Sequence, residues 1–183
     1  MRHKTTLLIA LAVQMAAPLP TSGQVATQAD VDAYFRAVAE HFGVPPAELA
    51  ILAEWDLPPD QVPVAMFLAR RVGVSPDALV ALRRGGRTWG DVASRYGVDA
   101  GAFHIPLPEG TSPGYLARAF EAYRDAPRSD WPGLRLTDEE IVHLVNARFL
   151  DEVLGTAIGP VLQARERAGS WVGAYRDLAG RGG

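Results

Sequence analysis

Apolar positions recur with a helical period along almost the whole chain. Between residues 29 and 42, Val31, Tyr34, Phe35, Val38 and Phe42 fall near i, i+3, i+4 and i+7, one face of a helix. A short helix is predicted over 47–55 after Pro45-Pro46, and another over 60–72. Pro63 is tolerated in the latter because the first turn needs no intrahelical N–H. Ser75-Pro76-Asp77 reads as an N-cap with Pro at N1, opening a helix that Gly85-Gly86 stops after about Arg84. Thr88-x-x-Asp91 resembles a capping box and starts a helix over 89–96. Residues 103–110, FHIPLPEG, hold two prolines and are predicted extended. A helix over 113–123, a loop over 125–136 and a helix from the Thr137-x-x-Glu140 cap to about Leu154 follow. Gly159-Pro160 opens a last helical stretch carrying Trp171 and Tyr175. No segment alternates with period two for long enough to be a strand, so the predicted fold is all-α.

Two kinds of internal repetition shape that prediction. Gly43-Val44, Gly73-Val74 and Gly97-Val98 each follow an amphipathic helix and precede a short one. A left-handed Gly closes a helix and the Val beyond it packs back, giving α-hairpins that must stack to bury their apolar faces. In addition, LVALRRGGRTWGDV (79–92) aligns without gaps to VLQARERAGSWVGA (161–174), pairing Arg83 with Arg165, Thr88 with Ser170 and Trp89 with Trp171. The preceding QVPVAMFLARRVGVSPDA (61–78) aligns with EIVHLVNARFLDEVLGTA (140–157). The expectation is stacked helical hairpins with a duplicated helix–turn–helix element. Both tryptophans should be buried, each tying a short helix to the long one before it.

The chain start reads differently. Arg2, His3 and Lys4 precede a run from Leu7 to Ala17 that is apolar apart from Gln14, and Pro18, Pro20 and Thr21-Ser22-Gly23 follow. This is a signal-peptide pattern. A membrane span needs roughly 20 apolar residues, about twice this run. Residues 1–23 are therefore expected to be removed, leaving an exported, periplasmic or extracellular chain with no transmembrane span. The rest divides at the extended segment into an N-terminal helical-hairpin region, 24–108, and a C-terminal helical region, 109–183.

There is no cysteine. The apolar core must hold the fold unaided, and thiol nucleophiles, iron–sulfur clusters and Cys-ligated metals are excluded. Lys4 is the only lysine, which excludes a Schiff-base or P-loop lysine from the mature chain. Net charge is −3, and −5 once Arg2 and Lys4 are lost. An acidic chain argues against nucleic acid. The helix-turn-helix look of RRGGRTWGDVASRYGVDAGAF (83–103) does not reverse this. Its second helix would start near Asp99, meet Pro106, and offer no Arg, Asn or Gln to a base edge. Nor is it a LysM wall-binding module, which needs flanking strands. Against the acidic background, Arg70, Arg71, Arg83, Arg84 and Arg87 form a local basic excess, a candidate binding face for an anionic surface.

Catalytic signals are weak. Glu140-Ile-Val-His143 has the E-x-x-H spacing of carboxylate metal bundles, but the aligned Gln61-Val-Pro-Val64 supplies no second copy. Glu54-Trp55-Asp56 places two carboxylates about an aromatic, yet i and i+2 do not face each other on a helix. No Gly-rich phosphate loop or G-x-S-x-G motif occurs, and His41 and His104 lack a nucleophile at motif spacing. No metal or cofactor is expected. Residues 57–107, with the V-P-V helix and the L-R-x-G-G-x-[ST]-W turn, and 136–155, with the L-V-N helix, resemble a group of bacterial exported proteins without assigned activity. The resemblance implies that the two regions belong together and carries over no catalytic residue. The expected role is a non-enzymatic, envelope-associated binding or interaction module, for an envelope protein or an anionic envelope surface. An envelope hydrolase with a scattered site, and a glycan binder using Trp89 and Trp171, are the rivals.

Overall fold

The first helix, α1 (Gln28–Phe42), starts at a full capping box. Thr27 accepts the Asp30 N–H, and the Asp30 carboxylate accepts the Thr27 N–H. In this computed structural model the described residues are 25–45 and 54–181. The expected signal peptide and the short helix at 47–55, apart from Glu54 and Trp55, lie outside them. A 3-10 turn (Pro59–Gln61) leads into α2 (Val62–Val72), with Pro63 in the first turn as expected. Then come α3 (Pro76–Arg84) and α4 (Trp89–Arg95), the latter opened by the reciprocal Thr88–Asp91 box. Ser75 holds the N-cap position of α3, but its hydroxyl makes no capping bond. A 3-10 turn (Ala100–Phe103) precedes the extended proline segment, and a second (Gly114–Leu116) runs into α5 (Ala117–Asp125). The predicted loop at 125–136 is half helical, because Arg128–Gly133 forms a 3-10 helix. Next is α6 (Asp138–Leu154), capped by Thr137 and Glu140. The last predicted stretch is two helices, α7 (Ile158–Ala168) and α8 (Trp171–Ala179), broken by left-handed Gly169. The fold is all-α, and the described residues contain no strand.

The three Gly-Val turns take the expected form. Gly43, Gly73 and Gly97 all have φ between 71° and 72°. Val44 and Val98 donate to Ala39 and Ala93 at 2.8 and 2.9 Å, the six-to-one bond of a Schellman close.

At the centre, α2 packs on α6. α3 lies on α2 and α4 on α3; α7 lies on α6 and α8 on α7. α4 also reaches α6, α8 reaches the turn before α2, and α1 rests on α8 and α2. One buried cluster therefore joins Tyr34, Val64 and Leu68 to Leu144, Phe149 and Leu162, across both regions read from sequence. Each such side chain contributes about 1.5–3 kcal/mol on burial, the main source of stability in a chain without disulfides.

Trp89 and Trp171 are each 0 % exposed. Each begins a short helix behind a Thr or Ser cap. The Trp89 indole donates to Gln61 Oε1 and the Trp171 indole to His143 Nδ1, both at 3.0 Å and both across 28 residues. Arg83 lies 5.5 Å from the Trp89 ring and Arg165 5.9 Å from the Trp171 ring. One shift of 82 positions takes Gln61 to His143, left-handed Gly73 to left-handed Gly155, Arg83 to Arg165 and Trp89 to Trp171. For the long helices this geometric register differs by three residues from the pattern alignment, which set Gln61 against Glu140.

Candidate functional site

Three helices build one cleft. On α2, Phe67, Arg70 and Arg71 stand at i, i+3 and i+4; on α6, Val145, Arg148, Phe149 and Glu152 stand at i, i+3, i+4 and i+7. Each set shares one helix face. The end of α1 adds His41 and Phe42, and the 3-10 turn adds Gly101 and Ala102. The cleft between them is open to solvent and measures about 610 Å³.

Its base is fixed by Arg148. The guanidinium donates to the carbonyls of Ala102 and His104 at 3.1 and 2.6 Å, so α6 is tied to the segment leaving the 3-10 turn. Burial lowers its affinity for the proton, Glu152 opposes that, and Arg71 adds to it. Arg71 and Arg148 both lie over the Phe67 ring, at 5.9 and 5.2 Å. Phe42 and Phe149 stack at 20°, with centroids 6.4 Å apart. At the mouth, His41 Nε2 is 3.3 Å from Glu152 Oε2. Burial pushes the His41 pKa down, Glu152 pulls it up and Arg70 pushes it down. The net direction is down, so near neutral pH this is a close contact between an uncharged imidazole and a carboxylate. Arg70 and Arg71 are exposed and have no hydrogen bond or ion pair among the described residues.

The five arginines of the sequence reading are not brought to one place. Arg70 and Arg71 share the cleft. Arg83 is held near the other end of α2, where it donates to Gln61 at 3.0 Å and pairs with Asp138 at 2.7 Å. Gln61 and Arg70 are about 14 Å apart at a helical rise of 1.5 Å per residue. Arg87 is exposed beside Asp91, and Arg84 is exposed on the end of α3. The cleft's other charges, Arg148, Glu152 and His41, did not stand out in the sequence. The signal for Arg148 was an arginine inside the apolar run Val145–Leu150, a position that asks for a buried partner.

The catalytic candidates find other employment. Glu140 is buried in its capping box and paired with Arg118, while His143 accepts from Trp171 and lies against Tyr115, the rings tilted at 55° with centroids 4.4 Å apart. Burial and the Arg165 charge push the His143 pKa down to about 4. Glu54 and Asp56 are exposed, and the indole between them donates to Asp77 at 2.6 Å. Neither Trp89 nor Trp171 presents a face to a sugar. A second, aromatic hollow of about 450 Å³ contains Trp131, which the sequence reading passed over; its ring lies against His104 at 4.3 Å and its N–H is spent on the Tyr123 and Ala126 carbonyls. Among the residues lining the arginine cleft, Glu152 is the single carboxylate, so the cleft offers no carboxylate pair for glycoside hydrolysis. Its arrangement suits binding of a negatively charged group beside an apolar one. No protein family, curated protein or solved structure is matched by this chain.

Proposed function

We propose that this is an exported, non-enzymatic binding protein that holds an anionic ligand in the cleft between α1, α2 and α6. One observation carries the reading: Arg70 and Arg71 stand unpaired among the described residues at the rim of a cleft whose base holds a third guanidinium. Arginines that only solvate a helix surface are not gathered over a cavity, and Arg83 is spent on its own fold. Phe42 and Phe67, both half-buried, add apolar surface to the lining of the cleft. The n-region and apolar run of residues 1–23 support export, which puts the ligand in the periplasm or outside the cell, on an envelope protein or an anionic envelope surface. The resemblance to exported bacterial proteins belongs to the same proposal.

The test uses the fluorescent anion 1-anilinonaphthalene-8-sulfonate. Binding should weaken steeply with salt, since the Debye length falls from about 10 Å at 0.1 M to about 3 Å at 1 M. It should also be lost in the Arg70→Ala/Arg71→Ala double variant. Absence of binding at low salt, or binding indifferent to both changes, refutes the anion site. Export is tested separately, by the mass of the purified mature chain: an intact Met1 terminus in the cytosol refutes it.

A further inference from the structure

We infer that the cleft's preferred ligand group is a dianionic phosphate monoester rather than a single carboxylate; the inference rests on the anion-binding reading above. The argument is one of charge and donor count. Three guanidinium groups line the cleft, Arg70 and Arg71 from α2 and Arg148 from α6. Against them stands one carboxylate, Glu152. His41, from α1, is neutral at the mouth, and the 3-10 turn contributes no charge. These groups act on one another as one site: Arg148 feels Glu152 and Arg71, and His41 feels Glu152 and Arg70. Glu152 therefore offsets one arginine and leaves two positive charges unmatched. A carboxylate matches one of them. A phosphate monoester carries close to two charges above its second pKa of about 6 and presents three acceptor oxygens.

The division of labour follows from the hydrogen bonds. Arg148 is already committed to the Ala102 and His104 carbonyls, so it supplies fixed charge from below. Arg70 and Arg71 are adjacent, exposed and unpaired among the described residues, so they supply the donors that close on the phosphate oxygens. The organic part of the ester lies toward the half-buried rings of Phe42 and Phe67. Glu152 is the resident anion that opposes the ligand, and its side chain is 49 % exposed. Its charge can therefore be removed without disturbing the core.

Isothermal titration at pH 8 and low salt compares phenyl phosphate with benzoate, which share the ring and differ in the anion. Phenyl phosphate should bind at least tenfold more tightly. Arg70→Ala/Arg71→Ala should cut that affinity at least tenfold. Glu152→Gln should raise it about three- to tenfold, the effect of deleting one nearby like charge in a solvated cleft. Circular dichroism verifies that each variant is folded. Equal affinity for the two ligands, a preference for benzoate, or an unchanged affinity in Glu152→Gln overturns the dianion inference and leaves the anion site standing. Failure of both ligands and of the naphthalene sulfonate overturns the two together. Co-sedimentation with phosphatidylcholine vesicles carrying phosphatidic acid distinguishes a lipid-borne monoester from a soluble one. Pelleting that phenyl phosphate competes away assigns the lipid headgroup, and no pelleting with retained phenyl phosphate binding assigns a soluble ester.

Discussion

Trp89 and Trp171 each reach both central helices from one residue. The indole of Trp89 donates to Gln61 at the start of α2, while its backbone N–H donates to Asp138 at the start of α6 at 2.6 Å. The indole of Trp171 donates to His143 in α6, while its backbone N–H favours the charged form of the Asp60 carboxylate before α2. Each tryptophan thus fastens its short helix to both central helices. Truncation to Ala removes a fully buried ring as well as these anchors. Trp89→Ala and Trp171→Ala should each cost about 3–5 kcal/mol, a large share of the roughly 5–15 kcal/mol a domain has, and denaturant melts measure it. His143 adds a pH dependence. Its folded pKa of about 4 lies below the ordinary 6.5, so the unfolded chain binds the extra proton between those values. The stability from this site is complete above about pH 6.5 and is lost as pH falls toward 4, by up to on the order of 3 kcal/mol. The neighbours that set this balance are Arg165, Glu140, Tyr115 and Trp171. Melts of wild type and His143→Gln at pH 7 and pH 4.5 isolate the effect, because the amide keeps an acceptor for the indole and does not titrate. Parallel loss in the two proteins would assign the acid sensitivity to other groups.

At the scale of the helix, ends were easier to read than registers. The boxes at Thr88 and Thr137 and the left-handed Gly43, Gly73 and Gly97 act within four residues, so local chemistry was enough to place them, while the equally local Thr27–Asp30 box went unread. Gly73 and Gly155 end α2 and α6 with φ of 71° and 59° and have nothing within 4 Å of an added Cβ. Substitution there meets only the backbone penalty of the left-handed region, about 1–2 kcal/mol for Ala. Gly73→Ala and Gly155→Ala should lose that much in a melt, and Gly73→Asn should lose less, since Asn tolerates this conformation. Equal losses for Ala and Asn would point to a steric cause instead. Register is another matter. A slide of three residues along a helix of 3.6 per turn keeps most apolar positions on the same face. Hydrophobic pattern therefore scores the two alignments of α2 with α6 almost alike. The Trp-to-acceptor bonds and the two terminal glycines break the tie, because each needs one particular residue.

At the scale of the whole molecule, the pairing of α2 with α6 makes one core from the two regions that the proline segment divides in sequence. Arg148 adds a polar tie, from α6 to the Ala102 and His104 carbonyls where that segment begins. Unfolding should accordingly be a single cooperative step. Tryptophan fluorescence and far-ultraviolet circular dichroism should trace coincident transitions, and each Trp→Ala variant should shift the one transition rather than split it. Two separated transitions would mean that the regions hold themselves up independently.

Helicity, most helix ends and the burial of Trp89 and Trp171 could all be read along the chain. Those properties depend on periodicity, caps and apolar content, all of which act within a few residues. Which charges meet could not be read there and follows from the packing of the helices. Arg70, Arg71 and Arg83 look alike along the chain. Two of them face a cleft, and the third is consumed by Gln61, Asp138 and the face of Trp89. Arg148, Glu152 and His41 come to that cleft from α6 and α1, far away in sequence. Charge interactions depend on distance in space, and that distance is set by how α1, α2 and α6 pack.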